Sequence, residues 1–245
     1  MSDYINGVHY IVTTHKSDDF LDATIASAYS VAEHNPGIGI HLDTDERGVA
    51  RLQAEVPHLF SSWRTITQPH YRSKIDYLPQ PPFERNLYLD SDTRVVDDIR
   101  EIFALLERFD LGLAHAHRRN HFSTLQAWQH QEIPPSFPQY NGGVILYRNS
   151  APTLALMGQW RDNFYQAGFE KDQVTLRELL WHNPVQLATL PPEYNIRYKK
   201  YLRIWSKDEA KPKILHMSKY RKGSWQQRVG RLIRKTLKKS GDQKG

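Results

Sequence analysis

Short apolar runs alternate with amphipathic segments along most of the chain. The runs have the length and the β-branched or aromatic content of buried strands, and they cover residues 8–14, 38–42, 63–67, 85–89, 111–114, 144–147, 185–190 and 213–216. Between them, apolar positions with helical spacing predict helices over 17–33, 44–56, 99–108, 152–167 and 172–181. This alternation predicts an α/β domain in which helices flank a central, mostly parallel mixed sheet.

Length and composition favour one large domain. The chain has 245 residues, enough for a substantial core, and it has no cysteine. The absence of cysteine excludes disulfides, thiolate metal sites and cysteine nucleophiles. No apolar run reaches the roughly 18 residues of a membrane span, and the first residues lack the basic and apolar segments of a secretory signal. We therefore expect a cytoplasmic protein.

Positive charge is concentrated at the C-terminal end of the chain. Ten of the 33 Lys and Arg residues follow position 216, with one of the 27 acidic residues, which leaves 23 basic and 26 acidic side chains in 1–216, a net charge of −3. A mildly acidic body argues against nucleic acid as a partner. We therefore divide the chain into a domain of residues 1–216 and a basic, helical tail of residues 217–245.

The tail has an amphipathic pattern. Trp225, Val229, Leu232 and Ile233 share one helical face, and Lys and Arg side chains occupy the other. This pattern is typical of a basic helix at a membrane surface. A solvated tail or an oligomer contact fits it equally well.

Two carboxylates follow the apolar run 85–89. Asp90 and Asp92 are separated by Ser91, and ligands of open α/β sheets bind at the carboxyl ends of the strands. Carboxylates spaced in this way in a turn can converge on one hard cation, Mg²⁺ or Mn²⁺, which in turn can hold a diphosphate. The same tripeptide is common in solvated turns, where Asp and Ser are favoured. By itself it leaves both interpretations open.

Several short motifs accompany this tripeptide in a fixed order. They are Thr13 and Thr14, Lys74, residues 87–93, Asn141 with Gly142 and Gly143, Asp172 with Gln173, residues 190–195, and His216. In this order the chain resembles the nucleotide-diphospho-sugar transferases of the GT-A fold, in particular the group that includes glycogenin and the bacterial lipopolysaccharide galactosyl- and glucosyltransferases. The resemblance implies a single GT-A, Rossmann-like domain that transfers a hexose from a nucleotide-diphosphate sugar.

The resemblance also implies a metal site. Asp90, Asp92 and His216 match its ligands, with Asp92 as the main ligand and Mn²⁺ or Mg²⁺ as the cofactor. A cation held there would act as a Lewis acid where negative charge develops on the leaving diphosphate. Taken alone, a single histidine such as His216 is more often structural.

Further residues are implied to bind the nucleotide sugar. Those that match donor-binding positions are Thr13, Thr14, Lys74, Asp90, Ser91, Asp92, Asn141, Gly142, Gly143 and Lys222. Asn141, Asp172 and Gln173 match positions that face the transferred sugar, so they are the candidate catalytic residues. Local alternatives stay open: Lys74 as a solvated helical lysine, the Asn-Gly-Gly run as a turn before a strand, and Asp172 as a helix N-cap.

A long polar segment at 115–138 predicts a surface loop, and loops of that length are usually functional or mobile. It carries Phe122, Trp128 and Phe137, whose rings suit stacking on sugar faces, so we expect it to shape the acceptor pocket. The loop also contains His115, His117 and His121, which we expect to be solvated rather than part of a metal cluster.

The expected partners follow from the resemblance. It favours a UDP-sugar as the donor and a glycan or glycolipid as the acceptor. A basic tail in contact with the inner face of the membrane would suit a lipid-linked acceptor. The alternative function is that of a catalytically weak sugar-nucleotide-binding protein, which its tail recruits to membranes or to partner proteins.

Overall fold

The computed structural model describes residues 4–15, 17–119, 121–122, 124–129, 132–206 and 208–221. The strands are β1 (Asn6–Ile11), β2 (Gly39–Thr44), β3 (Ser62–Thr65), β4 (Arg85–Leu89), β5 (Thr93–Val95), β6 (Leu111–His115), β7 (Tyr140–Arg148), β8 (Leu187–Thr189) and β9 (Ile214–His216). The α-helices are α1 (Asp19–His34), α2 (Glu46–Glu55), α3 (Ser73–Tyr77), α4 (Ala151–Ala167), α5 (Gln173–His182) and α6 (Tyr201–Ile204). Three 3₁₀ helices cover Arg100–Glu107, Pro192–Tyr194 and Ser218–Arg221.

Seven of the strands form one sheet in the order β3-β2-β1-β4-β7-β6-β8. Strands β1 to β4 pair in parallel, β6 pairs in parallel with β8, and β7 alone runs antiparallel to both of its neighbours. The mostly parallel mixed sheet expected from the sequence is therefore confirmed. Within the described residues, no helix has the length and apolar character needed to span a bilayer.

The core lies on both faces of this sheet. Side chains of β4 show the division, because Leu87 and Leu89 belong to one apolar cluster and Tyr88 to the other. The first cluster packs the sheet against α1 and the 3₁₀ helix Arg100–Glu107, and the second packs it against α4 and α5. Burial on both faces explains why β4 and β7 appear in the sequence as continuous apolar runs rather than as alternating ones.

Asn141, Gly142 and Gly143 lie inside β7, so their interpretation as a turn before the strand is wrong. The amide of Asp90 donates to the carbonyl of Gly143 at 2.8 Å, and Tyr140 pairs with His115 across the sheet. Pairing with strands on both sides extends β7 through glycines that have little strand preference of their own.

Two other sequence predictions differ from the structure. Residues 99–108 form a 3₁₀ helix rather than an α-helix, and the first strand ends at Ile11 instead of residue 14. A further element was absent from the sequence prediction: β5 pairs antiparallel with β9 in a separate two-stranded sheet. A three-residue strand carries too little periodicity to be recognised in the sequence.

The segment after β6 is irregular throughout its described residues, as expected for a loop. Helix α5 holds it in place through two neighbouring charged side chains. Arg177 is buried and donates from Nε to the Phe137 carbonyl at 3.0 Å and from a terminal nitrogen to the Pro134 carbonyl at 3.0 Å. Glu178 accepts from the backbone amides of Trp128 and Gln129.

A buried charged network links β1, β2 and β3. Asp43 accepts from His9 at 2.6 Å and from His41 at 3.2 Å, and Arg64 donates to both of its oxygens at 2.6 and 2.8 Å. The other ring nitrogens are also engaged, that of His9 by the Tyr147 hydroxyl and that of His41 by Ser62. The three residues are close enough to hold a metal ion, but their atoms are occupied and a guanidinium supplies the positive charge. We interpret this network as structural.

Candidate active site

The two-stranded sheet brings the late histidine to the aspartate pair. Asp90 and Asp92 follow β4, and β5 begins directly after them at Thr93. The residue of β9 that pairs with Thr93 is His216. The amide of Met217 also donates to the carbonyl of Asp92 at 3.0 Å. Strand pairing therefore joins residues that are far apart in the sequence at the carboxyl end of β4, where an α/β sheet binds its ligands.

Three side chains converge at this point, and each carboxylate uses its two oxygens differently. Nε2 of His216 lies 3.1 Å from Oδ1 of Asp92 and 3.5 Å from Oδ2 of Asp90. The second oxygen of Asp90 accepts from the Tyr88 hydroxyl at 2.7 Å, and that of Asp92 accepts from Nε of Arg221 at 2.9 Å. One oxygen of each aspartate is thus held by a neighbour while the other faces the imidazole.

A chain of amide hydrogen bonds orients the imidazole. The backbone amide of Gly143 donates to Oδ1 of Asn141 at 3.1 Å, which identifies that atom as an acceptor. Nδ2 of Asn195 donates to the same oxygen at 3.0 Å, and Oδ1 of Asn195 then faces Nδ1 of His216 at 2.8 Å. Nδ1 therefore carries a proton, and in the neutral ring Nε2 offers its lone pair toward the aspartates.

This donor set fits a divalent cation. Nε2 of His216 is buried and has no hydrogen-bond partner, although two carboxylate oxygens lie beside it. A neutral imidazole lone pair and two anionic oxygens repel one another unless a cation or a proton lies between them. Two carboxylates and one imidazole are ligands that Mn²⁺ accepts, and the oxygen ligands suit Mg²⁺.

Gly143 leaves the room that this site needs. A Cβ at position 143 would collide with the ring of His216 and lie 2.5 Å from Oδ2 of Asp90. At position 142 a Cβ would meet only ordinary contacts, the nearest being Nζ of Lys74 at 3.5 Å. Successive residues of a strand face opposite sides, so the two glycines border different parts of the site.

The carboxylates are held in their ionised form. Burial by itself would raise the pKa of Asp90, but the ammonium of Lys74, the protonated form of His216 and the Tyr88 hydroxyl hold that pKa well below its usual range. The protonated form of His216 and the guanidinium of Arg221 likewise lower the pKa of Asp92 against the effect of burial. Ionised carboxylates are what a cation requires of its ligands.

Lys74 forms a second charged group next to the aspartates. Its Nζ lies 2.7 Å from Oδ2 of Asp172 and 3.9 Å from Oδ1 of Asp90, and it donates to the Gly142 carbonyl at 3.1 Å. Burial lowers the pKa of Lys74, yet attraction to the two aspartates outweighs it, and the net shift is upward. Lys74 is therefore a partly buried, ion-paired cation on α3, not a solvated lysine.

Asp172 occupies the N-cap position of α5 but does not cap the helix with its side chain. Its carboxylate turns inward to Lys74, and its backbone carbonyl accepts from the indole of Trp160 at 2.8 Å. Gln173, the first residue of α5, is partly buried beside it. Because Lys74 contacts both Asp172 and Asp90, Asp172 belongs to the same charged group as Asp90 and Asp92.

An open cleft leads to these groups, and its volume of about 860 Å³ includes space that is open to solvent. Its lining includes Thr13, Lys74, Asp90, Ser91, Asp92, Arg72, His15 and Arg221. Thr14 lies behind the cleft, where its hydroxyl and amide donate to Asp45 at 2.8 and 2.7 Å. Lys222 lies outside the described residues, as does the remainder of the tail, so the prediction for it stays untested.

Sequence reasoning missed three supporting side chains. Tyr88 lies in an apolar strand, and Arg221 lies where only a basic tail was expected. Asn195 lies in a recognised motif, but nothing near it in the sequence indicates that it bonds His216. Tyr88 and Asn195 both lie in motifs that matched the resemblance, 87–93 and 190–195, whereas Arg221 lies in none of them.

The fold is shared with glycosyltransferases of known structure. Mouse xyloside xylosyltransferase 1 in its apo form matches with a TM-score of 0.60 and 16% identity, over 86% of this chain and 97% of its own. The galactosyltransferase LgtC, in complex with donor and acceptor sugar analogs, matches with a TM-score of 0.60 and 15% identity, over 86% of this chain and 87% of its own. The glycosyltransferase GlyE of Streptococcus pneumoniae TIGR4 matches with a TM-score of 0.60 and 17% identity, over 96% of this chain and 64% of its own.

These similarities lie in the structure and not in the sequence. No protein-family model matches the chain, and no curated protein matches it either. At such low identities a shared architecture establishes the fold. The chain therefore has the GT-A fold that its motifs implied, the architecture of these glycosyltransferases.

Proposed function

We propose that the protein is a metal-dependent glycosyltransferase that moves a hexose from a UDP-sugar to a glycan or glycolipid acceptor. One observation carries the proposal: an oxygen of each of two carboxylates and Nε2 of an imidazole converge at the carboxyl end of β4, with a partly buried lysine next to them. This is the chemistry that binds a cation and a diphosphate together. The GT-A fold supports it.

The residues of the site have distinct roles in this proposal. Asp90, Asp92 and His216 would hold Mn²⁺ or Mg²⁺, which supplies Lewis-acid stabilisation to the leaving diphosphate. Lys74 adds a fixed positive charge on the side of Asp90, and Arg221 adds one on the side of Asp92. Preorganised charges of this kind stabilise negative charge as it develops.

The transfer itself exchanges one bond for another. The bond between the anomeric carbon and the diphosphate oxygen breaks, the acceptor hydroxyl oxygen bonds to that carbon, and the hydroxyl proton passes to the departing nucleoside diphosphate. Asn141, Asp172 and Gln173 are the proposed contacts of the transferred sugar. Thr13, Ser91 and the two glycines of β7 are the proposed contacts of the nucleotide and diphosphate.

A thermal-shift measurement with Mn²⁺ and UDP-sugars tests the proposal. Ligands that bind the native state alone raise its stability by about 2.7 kcal/mol at 100 times their Kd. We expect Mn²⁺ to raise the melting temperature of the wild-type protein, a UDP-sugar to raise it further, and slow release of UDP to follow.

The matched variants are Asp92→Asn and Asp162→Asn. Asp162 is an exposed carboxylate on α4, remote from the cleft residues, so its loss controls for the change in charge. We expect Asp92→Asn to abolish the response to Mn²⁺ and Asp162→Asn to retain it. An equal response in all three proteins, or none in the wild type, would show that the proposal is wrong.

A further inference from the structure

A second cavity opens beside the site, near the ends of β6 and β8. It encloses about 700 Å³, part of it open to solvent, and Asn195 forms part of its wall. The amide of Asn195 is bonded to Nδ1 of His216 at 2.8 Å. A single side chain therefore separates this cavity from the proposed metal ligand, whereas the donor cleft lies on the side of Asp90 and Asp92.

The lining of this cavity is basic. It includes His115, His117, Arg119 and Arg197, and none of the described residues that line it is a carboxylate. Among the described residues, no salt bridge joins Arg119 or Arg197 to an acid, and Arg119 makes only a long contact of 3.4 Å with Nδ1 of His115. Residues 1–216 carry a net charge of −3, so a cavity of this charge is a local departure from the rest of the body.

The positive field inside the cavity acts on His117. Partial burial lowers the pKa of His117, and the charges of Lys200, Arg118, Arg119 and Arg197 lower it further. All of these influences act in the same direction. Cationic groups thus create a positive potential around this ring, which is the condition that favours an anionic ligand.

An aromatic wall accompanies the charge. The ring of His117 lies 3.9 Å from the ring of Tyr198, centroid to centroid, and its Nδ1 lies 2.8 Å from the Tyr201 hydroxyl. Tyr201 lines the cavity and is partly buried. Aromatic side chains with a polar tip suit a ligand that has both an apolar face and hydroxyl groups.

We propose that this cavity is the acceptor subsite and that it selects a sugar bearing a negative charge, a carboxylate or a phosphate ester, through Arg119 and Arg197. Guanidinium groups bind carboxylate and phosphate in a bidentate manner, which gives both affinity and orientation. The inference rests on the proposed glycosyl transfer, because it gives the acceptor of that reaction its chemical class.

Three sugars with the same ring provide the test: methyl glucoside, methyl glucuronide and glucose 6-phosphate. Their dissociation constants are measured by ligand-observed NMR on the full chain, with UDP and the diamagnetic cation Mg²⁺ present. We expect one or both charged sugars to bind about tenfold or more tightly than the neutral one, as charge-assisted hydrogen bonds predict. The comparison of the two charged sugars distinguishes carboxylate from phosphate recognition.

Variants locate the binding. Arg119→Gln and Arg197→Gln are expected to remove most of the preference for the charged sugars. Arg203→Gln, an equal loss of charge at an exposed position on α6 outside the cavity, is expected to keep it. Equal binding of all three sugars, no binding of either charged sugar, or unchanged binding in both arginine variants overturns the inference.

The proposed function is tested separately in the same protein. UDP release from a UDP-sugar without any acceptor requires the Asp90, Asp92 and His216 site but no acceptor subsite. If the wild-type chain releases UDP but prefers the neutral sugar, the acceptor inference fails and the proposed function stands. If charged sugars bind but no UDP-sugar is bound or cleaved, the proposed function fails.

Discussion

At the residue scale, the aspartates and the histidine of the site each have one atom held by a neighbour and one directed at the common centre. Tyr88 and Arg221 hold the outer oxygens of the aspartates, and Asn195 holds Nδ1 of His216. Support of this kind sets ligand orientation before a cation arrives. It also makes the supporting residues testable through metal affinity and not only through catalysis.

Asn195→Ala should weaken metal binding without removing a ligand. Loss of the amide leaves Nδ1 of His216 without its acceptor, so the ring is free to turn and to change tautomer. Loss of such a support typically costs about 10- to 100-fold in metal affinity. The measurement is the Kd for Mn²⁺, from the electron paramagnetic resonance signal of the free ion.

The control for this variant is Asn149→Ala, at the far end of β7 on the surface. It removes the same side chain from a position without a contact to the site. Equal Mn²⁺ affinity in wild type, Asn195→Ala and Asn149→Ala would contradict the role assigned to Asn195.

At the scale of elements, β7 determines the shape of the site, because its first residues border it on both faces. Gly143 faces Asp90 and His216, whereas Gly142 faces Lys74 and Asp172. The antiparallel pairing of β7 with β4 keeps this backbone within hydrogen-bonding distance of Asp90. Glycine is therefore required at position 143 for space, not for an unusual backbone angle.

Gly143→Ala and Gly142→Ala form a matched pair that tests this geometry. The alanine methyl at 143 has to displace His216, so we expect Mn²⁺ affinity to fall at least tenfold, in line with the disruption of a ligand. The methyl at 142 meets contacts of ordinary length, so Mn²⁺ affinity should stay within about twofold of wild type. Isothermal titration with Mn²⁺ distinguishes the two, and similar affinities in both variants would refute the steric argument.

Elements also connect the site to its surroundings. Helix α5 begins beside Asp172, and about one turn later its buried Arg177 holds the loop that follows β6. The same loop begins with His117 and Arg119 in the wall of the second cavity. One helix thus positions a proposed donor contact and supports the segment that shapes the proposed acceptor subsite.

At the scale of the whole molecule, the buried network around Asp43 ties three parallel strands together and makes stability depend on pH. Burial lowers the pKa of His9 below its usual 6.5, even though the hydrogen bond with Asp43 opposes the shift. Burial would raise the pKa of Asp43, but His41, His9 and Arg64 hold it well below its usual 3.8. Both groups therefore bind protons more readily in the unfolded chain.

The expected pH dependence follows from the sign of these shifts. The contribution of His9 to the free energy of unfolding is present in full above pH 6.5 and is lost as the pH falls toward the pKa of His9 in the folded protein. The contribution of Asp43 is lost below pH 3.8. In urea unfolding the contribution of His9 should therefore be constant above about pH 7, and stability should decline below pH 6.5, by up to about 1.4 kcal/mol per pH unit for one proton.

His9→Gln tests the assignment, and His58→Gln, at an exposed position, is its control. The first variant should be less stable at neutral pH and lose less stability between about pH 7 and pH 5 than wild type. The second variant should lose as much stability between about pH 7 and pH 5 as the wild-type protein does. If His9→Gln loses as much stability between about pH 7 and pH 5 as the wild-type protein, groups other than His9 cause the loss of stability.

The sequence alone determined the elements and the residue types of the site. Alternating apolar runs and helical periodicity are local properties, so the α/β layering, most strand positions and the aspartates after β4 were predictable. The order of motifs extended this to Asn141, Asp172 and His216. Where pairing overrides local preference, as in the glycines of β7 and the short β5, the prediction was wrong or absent.

The tertiary structure decided which of these residues act together. The pairing of β5 with β9 places His216 against Asp92, and the packing of α3 against α4 and β1 places Lys74 between Asp90 and Asp172. Arg221 and Asn195 joined the site in the same way. Contacts between residues distant in the chain depend on which surfaces bury one another, and local sequence periodicity carries no record of that choice.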